Sequence, residues 1–289
     1  AFVWYNFDMG DVPVSARLGR QVVSWGESTF ILGGINSINP VNASAIRKPG
    51  VEVKEVLLPV NMAYGSFGLT DTVTLEGFYQ LEWEKTRPDP CGTFFSTNDF
   101  AADGCGPVYL SGVLDERDMN EQYESGDLTF VTEREADVEP KDDGQYGLAL
   151  RWYSEDLGDT EFGFYYMNIH SRLPLTSGIV ATGSGDAPEY FIEYPEDIKI
   201  SGLSFNRGTE SGWSIGGEIS LKQDYPVQWN SFELILGGLG SEMSLLYQRE
   251  LETRMDAGMT KAEAEADAAG AIAQGWDHFD VWQAQMSFI

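Results

Sequence analysis

Between Thr72 and Trp83 the sequence reads TVTLEGFYQLEW, with a change of character at every residue. Val73, Leu75, Gly77, Tyr79, Leu81 and Trp83 fall on one face of an extended chain, and Thr72, Thr74, Glu76, Phe78, Gln80 and Glu82 fall on the other. Successive side chains of a strand point to opposite faces, so a period of two predicts a half-buried strand and opposes a helix. Its length exceeds the roughly 5 to 6 residues of an ordinary globular strand. It suits the roughly 9 to 11 residues that cross a bilayer as a tilted strand. The same alternation recurs at Val12 to Gly19, Leu58 to Gly65, Gln145 to Trp152, Trp213 to Lys222 and Trp282 to Phe288. Thr160 to His170 is aromatic on both faces, and Glu196 to Asn206 changes phase near Gly202, which predicts a bulge.

The connections are sorted by length. Short ones, rich in Gly and Asp, lie near 8–11, 68–71, 155–159 and 207–211; long ones cover 26–52, 84–143, 171–195 and 224–275. In an up-and-down meander successive connections fall at opposite ends, so all short turns share one end and all long loops the other. That is the plan of an antiparallel transmembrane β-barrel with short periplasmic turns and long extracellular loops. About nine strands are counted over 1–289, read as one barrel domain, and the chain begins and ends inside a strand. Bacterial single-chain barrels have even strand numbers. The expectation is therefore a fragment of a longer barrel, or a strand hidden in a long loop. No leader is visible ahead of the opening AFVWYNF. Residues 241–275 predict a helical hairpin, its second helix opened by a Thr260/Glu263 capping box; it would plug the barrel mouth or sit as a surface insertion.

Charge narrows the partners. With 46 acidic and 18 basic side chains the net charge is -28, which excludes phosphate-backbone binding. No run approaches the roughly 18 to 20 apolar residues of a transmembrane helix. The two cysteines, Cys91 and Cys105, share one polar loop and predict a local disulfide in an oxidising compartment, against the alternative of two free thiols.

Two groups of side chains carry functional expectations. Trp25, Tyr64, Trp83, Trp152, Trp213 and Trp282 lie near strand ends and predict aromatic girdles, against ordinary core packing. Arg17, Glu76, Gln80, Glu82, Arg151, Glu218 and Lys222 lie on polar strand faces and predict a lumen lining, either a solute-binding set or a structural network. Nucleophile elbow, metal-ligand histidine pair and phosphate loop are missing, so neither catalysis nor a cofactor or metal is expected. His170 and Ser171 are neighbours in sequence and would point to opposite faces of a strand. Asp115, Glu116, Asp118, Asp142 and Asp143 read as solvated acid rather than a Ca²⁺ loop.

The segments RLGRQVVSWGES (Arg17 to Ser28), INPVNASAIRKPGVEVKEVLLPVNMAYGSFG (Ile38 to Gly68) and YYMNIHSRLP (Tyr165 to Pro174) resemble an uncharacterised proteobacterial family of outer-membrane barrels, catalogued as a domain of unknown function. Its genes often accompany those of RND-type exporters and of a second outer-membrane-associated family. Full-length members are longer and begin with a signal peptide. The family is similar in plan to the outer-membrane long-chain fatty acid transporters. The resemblance implies an outer-membrane location, lipid as a partner, and binding or passage of a hydrophobic small molecule alongside an exporter. The alternatives are a structural or adhesive surface barrel without a conducting lumen, a lipolytic enzyme and a secreted β-sandwich.

Overall fold

The structure, a computed structural model, describes residues 1–27, 33–51, 53–97, 99–110, 114–128, 131–182 and 188–288. Ser28 and Glu52, both inside segments singled out above, lie outside the described residues, as does the side chain of Glu116.

Period-two alternation yields nine strands in one antiparallel sheet. They are β1 (Phe2–Met9), β2 (Val12–Gln21), β3 (Val60–Gly68), β4 (Val73–Gln80), β5 (Tyr146–Ser154), β6 (Thr160–Ile169), β7 (Ile198–Gly208), β8 (Ser214–Gln228) and β9 (Trp276–Phe288). Sheet order equals chain order, so the topology is a pure meander. The short turns, such as Gly10–Asp11, all lie at one end, and the long connections 22–59, 81–145, 170–197 and 229–275 at the other.

The sheet does not close. β1 pairs only with β2 and β9 only with β8, so among the described residues no closed barrel is formed and the nine strands make an open sheet with two free edges. In a meander of nine strands the first and last run the same way, and no antiparallel ladder can join them.

Register runs straight across the sheet and sorts chemistry into rows. One row of cross-strand partners is Phe7, Val14, Phe67, Leu75, Leu150, Phe164, Leu203, Ile219 and Ala284, apolar on every strand. The adjoining row, on the other face, is Asp8, Pro13, Gly68, Thr74, Arg151, Gly163, Ser204, Glu218 and Gln285. The apolar face looks outward: Val3 is 70%, Leu148 55% and Trp282 66% exposed. The polar face is covered from β4 to β8, with Gln80, Glu218, Ser220 and Lys222 buried, and is open at β1, where Trp4 is 65% exposed. This inverts the arrangement of a water-soluble sheet, which buries its apolar face.

The inner face is covered by the 22–59 connection. Val23, Trp25, Ile35 and Ile38 from that segment form one apolar cluster with Val60, Met62, Phe78, Ala149, Tyr165, Met167, Ile169, Ile198 and Ile200 of the sheet. Each buried Ile or Val there contributes roughly 1.5–3 kcal/mol. The predicted bulge at Gly202 is absent, because β7 pairs in unbroken register with both neighbours from Lys199 to Arg207. Gly202 serves Ile35 instead, since a Cβ there would lie 2.6 Å from Ile35 Cγ1. The register shift falls in β8 between Lys222 and Tyr225, where Asp224 takes φ 58°.

Helices occur on the long-connection side. Residues 231–268 hold three, α1 (Ser231–Gly238) ahead of the 241–275 stretch, and α2 (Leu245–Asp256) and α3 (Lys261–Ala268) within it. The Thr260/Glu263 capping box opens α3. They pack on a small sheet of Glu189–Glu193, Leu175–Ile179 and Ile272–Ala273, where Val180, Tyr247, Leu251, Ala264, Ala268 and Ala273 form a separate core. The inner face of the large sheet is thus filled by the first long connection and not by the helical hairpin. Among the described residues no helix is long and apolar enough to cross a membrane.

Candidate functional site

The inner face of the sheet brings buried charge and amide groups together against residues 22–27 and 33–39. Three clusters result, each joining strands to that segment. In the first, Glu76 of β4 accepts the Trp25 indole N–H at 2.7 Å and the Arg151 Nε–H at 2.9 Å, while Arg151 Nη1 donates to Glu161 at 2.8 Å. Alternation sets this up, because Glu76 and Arg151 occupy inner-face positions of the paired strands β4 and β5.

The second cluster centres on Glu218 of β8. Its Oε2 accepts the Glu27 backbone N–H at 2.7 Å. Its Oε1 accepts the Ile35 N–H at 3.0 Å and the Gln285 amide at 2.6 Å. Glu27 Oε2 accepts from the Asn206 amide at 2.6 Å. Burial raises the carboxyl of Glu27 above its usual range, against the Asn206 hydrogen bond that lowers it. Two glycines let the segment approach so closely. A Cβ at Gly34 would lie 1.9 Å from Glu218 Oε1, and one at Gly26 2.4 Å from Oε2. A carboxylate held by backbone N–H groups is a charge-assisted anchor, stronger than neutral hydrogen bonds.

The third cluster is at the long-connection rim. Gln80 Nε2 donates to the Ile38 carbonyl at 2.9 Å. Arg172, only 7% exposed, donates to Gln80 Oε1 at 2.5 Å, to Gln145 Oε1 at 3.2 Å and to the Glu84 carbonyl at 2.8 Å. Burial pushes its guanidinium down to about 9, with the Glu84 charge opposing that shift. It remains a cation at neutral pH.

The other predicted lining residues lie apart from these anchors. Arg17 stacks 3.9 Å over the Tyr64 ring near the β1 edge. Lys222 reaches Ser37 Oγ at 3.4 Å and lies 5.0 Å from the Tyr225 ring. Glu82 is beyond the end of β4, where it accepts the Asn61 N–H at 3.3 Å and faces Arg20 at 3.7 Å.

A family model described as "Protein of unknown function (DUF1302)" matches residues 1–289. The chain belongs to the DUF1302 family. No curated protein and no solved structure matches it.

Within this member of the family, the girdle expectation needs correction at three of its six residues. Trp25 is 1% exposed and sits inside, over Phe78 and Tyr165. Tyr64 is half-buried on the inner face beneath Arg17. Trp83 is buried against Tyr194, its indole donating to the Ser171 carbonyl at 3.1 Å. Proximity to a strand end in sequence does not fix which face a ring takes; register does. Trp152 and Trp282 are exposed on the outer face, and Trp213 is exposed at the short-turn end.

The expected disulfide is also corrected. Cys91 and Cys105 are free thiols. They are hydrogen-bonded neighbours, and burial together with Cys91 pushes the Cys105 thiol up to about 12. Loop folding brings them together, as their spacing suggests, but no covalent bond joins them. A histidine–serine pair is not assembled: His170 Nε2 donates to the Asp143 carbonyl at 2.8 Å, Nδ1 accepts the Asp197 N–H at 3.1 Å, and Ser171 Oγ turns to the Leu173 carbonyl at 3.0 Å. Asp115 caps a helix at Glu116–Glu124, and Asp142 accepts the Trp83 N–H at 2.8 Å. Among the described residues no group of three or more His, Cys, Asp or Glu could hold a metal ion.

Sequence reading missed Arg172, Gln145, Glu27 and the two approach glycines. One signal was available: Val23, Trp25, Ile35 and Ile38 are large apolar residues in a stretch with no strand period. Apolar residues of that size in a connection need somewhere to be buried.

Proposed function

We propose that this chain is wall and inner filling of an outer-membrane β-barrel that binds and passes a hydrophobic small molecule, working with an RND-type exporter. The observation that carries the reading is the inverted sheet: an apolar outer row unbroken across nine strands, backed by buried Glu218, Gln80 and Lys222. An apolar face of that extent is stable against lipid and a liability in water. Sorting of short and long connections to opposite ends supports the same reading. The filled inner face argues against an open aqueous pore, since Trp25, Ile35 and Ile38 occupy it. A hydrophobic solute does not require a continuous water column, so the filling fits that substrate class.

The test is fractionation of cells expressing the native gene, with heat-modifiable gel migration as the check on barrel formation, followed by uptake of a hydrophobic solute into liposomes bearing the protein. Protein in the outer membrane and saturable uptake are the expected results. A soluble monomer without detergent would overturn the membrane reading, and membrane protein without uptake would overturn the transport one. The second reading is a structural or adhesive surface barrel. It is favoured by the anchoring of the filling at Glu76, Glu218 and Gln80, which would suit a permanently closed interior.

A further inference from the structure

On the long-connection side, away from the inner-face clusters, a half-enclosed cavity of about 370 Å³ lies between the small sheet, α1 and the 100–110 segment. Its walls include Phe100, Val108, Tyr190, Trp229, Leu234 and Ile235. The volume falls in the range of small-molecule sites, roughly 300–1,000 Å³.

Most polar side chains around it are engaged with the protein itself; among the described lining residues the buried Thr132 hydroxyl has no partner and is the polar atom left for a neutral guest. Gln228 spans both backbone groups of Thr176, at 2.7 and 2.8 Å. Ser177 Oγ accepts the Gly275 N–H at 2.9 Å and donates to Glu193. The Trp229 indole donates to Asp277 at 2.9 Å, and the Tyr190 hydroxyl to the Phe100 carbonyl at 3.1 Å. With those groups satisfied, the walls offer a guest mainly rings and aliphatic surface. Among the described lining residues the one charged at neutral pH is the acid Glu189, on a chain of net charge -28. An anionic guest meets repulsion there, and a neutral one does not.

We propose that this cavity is a binding site for uncharged hydrophobic molecules, and that it selects them over carboxylate- or sulfonate-bearing ones of the same skeleton. Its role as the capture step ahead of membrane passage rests on the function proposed above; the binding itself does not.

The purified protein in lipid nanodiscs is titrated with N-phenyl-1-naphthylamine, which is neutral, and with 1-anilinonaphthalene-8-sulfonate, which carries the same ring skeleton and a sulfonate. Binding is read as energy transfer from tryptophan, with empty nanodiscs as background. The neutral probe binds saturably and about tenfold or more tightly than the sulfonate. Gly178→Leu and Ser231→Trp each weaken the neutral probe about tenfold. Gly178 lines the cavity, and a Cβ there meets nothing closer than 3.8 Å, so the larger side chain enters without backbone strain. Ser231 is an exposed lining residue at the start of α1. Parent-like circular dichroism establishes that each variant folds. Glu189→Gln narrows the gap between the probes. The proposal is overturned by no saturable binding, by binding that neither filling variant alters, or by equal affinity for both probes. Liposome uptake that persists unchanged in the filling variants would remove the capture role of this cavity while leaving the proposed function standing.

Discussion

Gly34 and Glu218 show how much one side chain can decide. The carboxylate collects N–H groups from Glu27, Ile35 and Gln285, and there is no room for a methyl group between it and Gly34. Gly34→Ala is expected to cost about 1–3 kcal/mol, since overpacking forces the backbone or the carboxylate aside. Chemical denaturation of the purified protein measures it, and a neutral result would show that the segment shifts freely. Titration offers a second residue-scale prediction. Burial pushes the phenols of Tyr190 and Tyr194 up to about 12, opposed by the Arg134 and Lys85 charges, respectively. In the unfolded chain they ionise near 10, so the stability they confer is present below pH 10 and is lost as pH rises towards 12. Tyr190→Phe and Tyr194→Phe should each flatten that alkaline loss, read as melting temperature against pH. Curves parallel to the parent's would show that these phenols titrate alike in both states.

Among the elements, β5 separates the two environments most cleanly. Gly147, Ala149 and Arg151 face the filling, while Leu148, Leu150 and Trp152 look outward. Leu148→Arg should cost about 2–4 kcal/mol if that face meets lipid at mid-depth. The readout is denaturant titration in bilayers, together with the amount of heat-modifiable protein recovered. A silent substitution would mean that the face meets water. α3 supplies a contrast, because its stability is local. Thr260→Ala removes one side of the capping box and should cost about 1 kcal/mol. Hydrogen exchange should register this in α2 and α3 and leave β1 to β9 untouched, since the helices share a core with the small sheet. Protection lost across the large sheet would show that the two parts unfold together.

For the whole molecule, the function proposed above makes the inner filling the element that sets what can pass. In planar bilayers the parent should carry no steady current, and Trp25→Ala with Glu218→Gln should, because together they remove the indole and weaken the anchor that hold residues 22–27 and 33–39 against the sheet. A conducting parent would mean that the segment does not seal the sheet. The meander and the sorting of its connections were legible in the sequence, because the period of a strand is two and every turn is local. The helical capping box at Thr260 and Glu263 was legible for the same reason: its partners are three residues apart. Which ring faces which way was not. Trp25, Tyr64 and Trp83 lie on inward positions fixed by register and by where the chain leaves the sheet, and both depend on partners far along the chain. That nine strands cannot close through an antiparallel ladder was legible, since it follows from their count. The sequence by itself determined nine antiparallel strands and their two chemically distinct faces, through alternation that each strand carries alone. Only the tertiary structure decided that a loop without periodicity fills the polar face, because contacts such as Glu27 to Glu218 span 191 residues and leave no local pattern.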